Sequence, residues 1–132
     1  MRILAIDHGL ARAGVAICDP TETLVRPLDV VEPPDPAAVG NLVAENDVGA
    51  VVVGLPVGLD GSIGEQAGIV LAFKEELEKH VSVPVDTYDE RLTTRMAEGS
   101  RRAGAKGHPD SIAAAHLLEA YLAYRNRAAG TA

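Results

Sequence analysis

Three carboxylates stand where the chain could bring them together. Asp7 closes the apolar run Ile3, Leu4, Ala5 and Ile6; Glu90 follows a second apolar run that ends near Tyr88; Asp110 follows Pro109 at the head of a long stretch without internal Gly or Pro. Clustered carboxylates repel unless one keeps its proton or a divalent cation sits among them. An oxygen-only donor set suits Mg²⁺ or Mn²⁺ rather than Zn²⁺. Two such ions ~3.5–4 Å apart can stabilise the attacking and leaving oxygens of a phosphodiester displacement. Each acid also has a plainer explanation. Asp7 could be a turn residue, Glu90 could pair with Arg91 or Arg95, and Asp110 could serve a helix dipole. The single cysteine and the scattered His8, His80, His108 and His116 form no zinc pattern, and no Ser-His-Asp spacing is present.

The elements that must position these acids follow from periodicity. Residues 2–7 and 13–18 read as two strands joined through Gly9, and 24–31 as a third, with Pro27 marking an edge or an irregularity. These make an antiparallel meander. A Pro-rich connector leads to a helix over 37–47, then to a fully apolar strand at 50–54 and a Gly-rich loop. Ser62 and Glu65 match a capping box, which predicts a helix start at Ile63. A fifth strand is expected at 83–88, a helix at 94–103, and a last helix from Pro109 to about Asn126 with a frayed tail over 128–132. The order predicts an α/β fold: a five-stranded mixed sheet, three strands antiparallel and two parallel, with helices on both faces. In such sheets sites form beyond the C-terminal strand ends, where Asp7 and Glu90 fall. Asp110 shares a helical face with Ala114, Leu117 and Tyr121, and the small Ala113–Ala115 run lets that helix approach the sheet closely.

At 132 residues and 47% apolar composition, the chain is expected to form one globular domain with one core. No apolar run reaches the ~20 residues of a membrane span, no secretory pattern opens the chain, and Cys18 reads as a buried strand residue. A cytoplasmic protein is the expectation. The net charge is −7, and residues 27–73 hold seven acids and no Lys or Arg. The 91–106 segment holds five basic residues against one acid, so one face could still meet phosphates. The few aromatics, Phe73, Tyr88, Tyr121 and Tyr124, offer little base stacking, so backbone or shape recognition is expected.

Four motifs in order add a resemblance over nearly the whole chain. D-H-G-L-A-R-A-G-V-A at 7–16, V-V-G-L-P at 52–56 with D-G-S-I-G-E-Q-A at 60–67, D-E-R-L-T-T at 89–94, and D-S-I-A-A-A-H-L-L-E-A-Y-L at 110–122 resemble the YqgF/RuvX family. That family is named for candidate Holliday-junction resolution and pre-16S rRNA cleavage. The resemblance implies an RNase H-like fold and Mg²⁺- or Mn²⁺-dependent phosphodiester hydrolysis. It places the catalytic and metal-holding acids at Asp7, Glu90 and Asp110. It makes Arg12 a phosphate contact, with Arg91 and Arg95 as further backbone contacts. The implied partner is nucleic acid, either pre-16S rRNA or branched DNA, with no membrane and with a monomer or a homodimer as the acting species. One departure is that only Lys106 lies between 103 and 109, where relatives carry several basic residues. Two other classes fit parts of the pattern. One is an ATPase-like phosphate binder using Asp7-His8-Gly9 and the 54–61 loop, although the chain lacks room for the second half of such a clamp. The other is a non-catalytic ribosome-assembly or nucleic-acid-binding factor, against which the intact acid triad argues.

Overall fold

The first strand, β1 (Ile3–His8), sets the plan of the molecule. Leu4 and Ile6 point to one face of the sheet, Ile3 and Ala5 to the other, and all four are fully buried. A strand buried on both faces must lie inside a sheet covered on both sides. The computed structural model, which describes residues 1–56, 64–89 and 108–130, shows that arrangement. β2 (Ala13–Cys18) and β3 (Val25–Val31) complete the meander, followed by α1 (Pro36–Glu45), β4 (Ala50–Leu55), α2 (Glu65–Glu78), β5 (Val85–Asp89) and α3 (Pro109–Gly130). The strand order is β3-β2-β1-β4-β5. β1 is antiparallel to β2 and parallel to β4, and β4 is parallel to β5.

One face packs Leu4, Ile6, Val51 and Val53 against Val39 and Val43 of α1 and Val70, Phe73 and Leu77 of α2. The other packs Ile3, Ala5, Val52 and Tyr88 against Leu117 and Leu118 of α3. Each such aliphatic side chain contributes about 1.5–3 kcal/mol relative to an exposed position. Nearer its start, α3 lays Ala114 and Ala115 on Ala16 of β2, where small side chains permit close approach.

Most expected elements are present with shifted ends. Asp35 caps α1, accepting from the Ala37 N–H at 3.0 Å, with Pro36 as the first helical residue. Pro27 does mark an irregularity: the β2–β3 register slips between Val15 and Ala16, leaving Leu28 unmatched, on an edge strand. The capping-box expectation is not met. α2 starts at Glu65, and Gly64 occupies the cap with no side-chain hydrogen bond. Glu65 therefore lies in the first turn, where its charge meets the exposed N–H groups. α3 continues to Gly130, past the expected end, because no Gly or Pro interrupts it. The expected helix at 94–103 lies outside the described residues.

The β2–β3 connection is held by one carboxylate. Asp19 accepts from the Thr23 and Leu24 N–H groups at 2.7 and 2.9 Å and from the Thr21 hydroxyl. The Thr21 hydroxyl and these two amides draw its pKa down to about 2. A depressed carboxylate stabilises the fold above its unfolded pKa and stops doing so as pH falls through its folded one. Asp19→Ala is therefore expected to lower the thermal midpoint at pH 7. The difference from the parent should shrink between about pH 4 and pH 2, as read by circular dichroism melts across that range.

Candidate active site

Asp7 and Asp110 are 103 positions apart in sequence and meet through a glycine. In the β1–β2 ladder Asp7 lies opposite Gly14. A Cβ on Gly14 would stand 1.9 Å from the Asp110 carbonyl oxygen and 2.8 Å from the Ser111 nitrogen. The first turn of α3 thus rests on bare strand backbone beside the residue paired with Asp7. No side chain fits between them. The two acids line one cleft of about 350 Å³, together with His8, Arg12, Gln66 and the tight turn through Leu10 and Ala11. That turn is closed by the Gly9 N–H donating to the Arg12 carbonyl at 2.9 Å.

The start of α3 is capped by His108. Its Nδ1 accepts from the Asp110 N–H at 3.1 Å, and its carbonyl accepts from the Ser111 hydroxyl and the Ile112 N–H, both at 2.9 Å. His108 Nδ1 also lies 3.7 Å from Asp110 Oδ2. Asp110 takes its positive partner from Arg12, whose Nη1 lies 3.7 Å from Oδ2, while Arg12 Nε lies 3.4 Å from Glu32 Oε2. His8, which also lines the cleft, sets its ring at a tilt of 53° against Phe73 with centroids 4.7 Å apart. Burial holds the His8 pKa below its usual value, against the opposing pull of its backbone hydrogen bond and of Asp7.

A larger hollow of about 470 Å³ lies around Cys18, Arg2 and Arg26. It sits at the opposite end of the sheet, and its Asp19 carboxylate is already engaged in the turn. Cys18 is buried, accepts from the Ile3 N–H at 3.2 Å, and has its thiol pKa raised by burial, as a structural cysteine should. The three tyrosines converge beside β5, with the Tyr88 ring centroid 5.8 Å from those of both Tyr121 and Tyr124. Only Tyr124 presents an exposed ring, so stacking surface remains scarce. His116 is buried within α3 with no hydrogen-bond partner among the described residues.

Of the expected site residues, Asp7, Arg12 and Asp110 come together. Glu90, Arg91 and Arg95 lie outside the described residues, as does the whole basic 91–106 segment. Glu32 and Gln66 were not expected. Glu32 was legible in principle: once Ala13 pairs with Val31, the next residues out, Arg12 and Glu32, face each other past the ladder. Gln66 reaches the cleft from the first turn of α2, and nothing in the spacing of the other site residues signals it. Asp7 and Asp110 offer oxygen donors of the kind Mg²⁺ or Mn²⁺ takes. Among the described residues, no group of three or more metal-binding side chains is complete.

Residues 1–124 match the profile of the RuvX family, described as Holliday junction resolvase. This chain belongs to the RuvX family. A relative from Anaeromyxobacter sp. (strain Fw109-5) is 40% identical over 132 residues, covering 92% of this chain and 96% of its own length. One from Rubrobacter xylanophilus is 42% identical over 127 residues, covering 92% and 91%. Both are named as candidate pre-16S rRNA nucleases. Among solved structures, Thermus thermophilus RuvC in complex with a Holliday junction substrate superposes with a TM-score of 0.65 at 17% identity, covering 96% of this chain and 95% of that one. The fowlpox virus resolvase bound to junction DNA gives 0.58 at 12% identity, covering 95% and 99%. The RuvX chain therefore has the RNase H-like fold of RuvC, as its motifs implied.

Gly14 carries the geometry of this site. Gly14→Ala is expected to destabilise the protein by about 1–3 kcal/mol, because the start of α3 must lift off the strand. The measurement is urea denaturation, and an unchanged midpoint would contradict the close contact described above.

Proposed function

We propose that this chain is a divalent-metal-dependent endonuclease that acts on the 5′ end of precursor 16S rRNA in the cytoplasm, as a single domain spanning residues 1–132. The observation that supports it most is the seating of Asp110 on Gly14, which delivers a second carboxylate to the Asp7 cleft. The relatives' names suggest the RNA substrate.

In this reading Asp7, Glu90 and Asp110 hold Mg²⁺ or Mn²⁺. Support for Glu90 comes from the motif D-E-R-L-T-T at 89–94, whose resemblance to the family's third block assigns it that role. When bound, such ions activate water and stabilise charge building on the phosphoryl oxygens. The protein's own groups then orient the substrate. Arg12 offers a planar fork of donors to a backbone phosphate, and Arg91 and Arg95 extend that grip along the strand. His8, its ring tilted against Phe73, lines the cleft beside Asp7. Hydrolysis joins a water oxygen to phosphorus and releases one ester oxygen.

A second reading, resolution of four-way DNA junctions, is favoured by the family description and would need two sites, hence a homodimer rather than a monomer. The two are separated by one assay. Purified protein is incubated with a precursor 16S rRNA fragment or a four-way DNA junction, with Mn²⁺ or with EDTA. Metal-dependent cleavage of the RNA is expected, and Asp7→Asn, Glu90→Gln and Asp110→Asn should each lose at least about a hundredfold in rate while keeping the parental circular dichroism spectrum. Cleavage of the junction alone would move the substrate to branched DNA. Full activity in Asp7→Asn would refute the acid triad.

A further inference from the structure

Arg12 is already occupied on both sides of its guanidinium. Its Nη1 faces Asp110 at 3.7 Å and its Nε faces Glu32 at 3.4 Å. Glu32 reaches it by strand register, since Ala13 and Val31 are the last pair of the β2–β3 ladder and Arg12 and Glu32 are the next residues out. Among the described residues, the carboxylates of Asp110 and Glu32 flank the Arg12 guanidinium, and Asp7 lines the same cleft as Arg12 and Asp110. A phosphate approaching this arrangement meets an excess of carboxylate, and two of the nitrogens that should receive it already lie 3.4–3.7 Å from carboxylate oxygens. Glu32 is 62% exposed and so can be displaced without burying an unpaired charge.

We propose that Glu32 is a specificity-determining residue that takes the place of a substrate phosphate on Arg12, so that nucleic acid engages this cleft only when a cation has neutralised Asp110. The inference rests on the reading of Arg12 as a phosphate contact. A divalent ion held by Asp110 would leave Arg12 with only one of its two partners. A phosphate then has only Glu32 to displace, and the planar fork binds two phosphate oxygens better than one exposed carboxylate oxygen. Nucleic acid lacking a coordinated cation would stay unbound, which suits a strongly acidic protein that must ignore most of the RNA around it.

The test is a binding cycle on the full chain with Ca²⁺ in place of Mg²⁺ or Mn²⁺ to slow hydrolysis, beside an EDTA arm in which the parent should bind at least about fivefold more weakly; equal binding with and without the ion overturns the proposal. Fluorescence anisotropy with a labelled precursor 16S rRNA fragment is measured for the parent, Glu32→Gln, Arg12→Gln and the double variant, each across a salt series. Glu32→Gln is expected to tighten binding about three- to fivefold at low salt. Arg12→Gln should weaken binding and reduce the salt slope by about one. In the Arg12→Gln background, Glu32→Gln should lose most of its effect. Unchanged or weaker binding by Glu32→Gln, with Arg12→Gln still impaired, overturns this proposal and leaves the phosphate-contact reading standing. An equal gain in both backgrounds overturns it too, because Glu32 would then act only as a diffuse surface charge. No effect of Arg12→Gln overturns both. A direct readout supports the same point without RNA: Arg12→Gln should raise Mn²⁺ affinity in calorimetry, since the guanidinium no longer competes for Asp110.

Discussion

The contact between the Gly14 backbone and the first turn of α3 governs everything else in this molecule. Strand and helix backbones usually stand apart by the width of their side chains. Here the separation is so small that one Cβ would overlap the Asp110 carbonyl. Two features permit it. Gly14 contributes no side chain, and Ala16, Ala114 and Ala115 continue the close packing along the same line. The register of β1 on β2 then places Asp7 directly across from that glycine. An acid from the start of the chain and an acid from its last helix are thereby held at one cleft, with little of the conformational freedom that long side chains on loops would have.

Much of this was readable from the residues. β1 announced itself by four consecutive apolar residues ending in a carboxylate, and the fully apolar run at 50–54 told that the sheet would be covered on both faces. The Ala-rich start of α3 and the Pro109-Asp110 pair foretold a helix that could lie close to the sheet. Other features were not readable, for specific reasons. A capping box is a local pattern, and at Ser62–Glu65 it predicted a start that α2 does not use, because Gly64 takes the cap in extended backbone. The role of Glu32 depended on the β2–β3 register, which slips at Pro27 and Leu28; counting residues from the turn without that slip would put Val31, not Glu32, opposite Arg12. The pairing of Gly14 with Asp110 is a tertiary contact that no local pattern encodes. Motif order hinted at it only through the resemblance to the family.

The uneven charge also acquires a structural meaning. The stretch without Lys or Arg, residues 27–73, is not merely a solvated acidic surface. Through Glu32 it reaches Arg12, the one arginine that lines the cleft among the described residues. An acidic protein can act on a polyanion if its attraction is local and conditional. A site with excess carboxylate is conditional by construction, since cation and phosphate each improve the environment of the other. This links the family's chemistry to a chain whose net charge argues against casual nucleic-acid binding.

The central claim is that Asp7 and Asp110 form a cation site because Gly14 lets them meet. The most direct measurement is a crystal grown with Mn²⁺ and recorded at a wavelength where manganese scatters anomalously. The account predicts an anomalous peak between the two carboxylates, and its loss in Asp110→Asn crystals of the same form. Manganese bound elsewhere, or a site that persists unchanged without the Asp110 carboxylate, would contradict it.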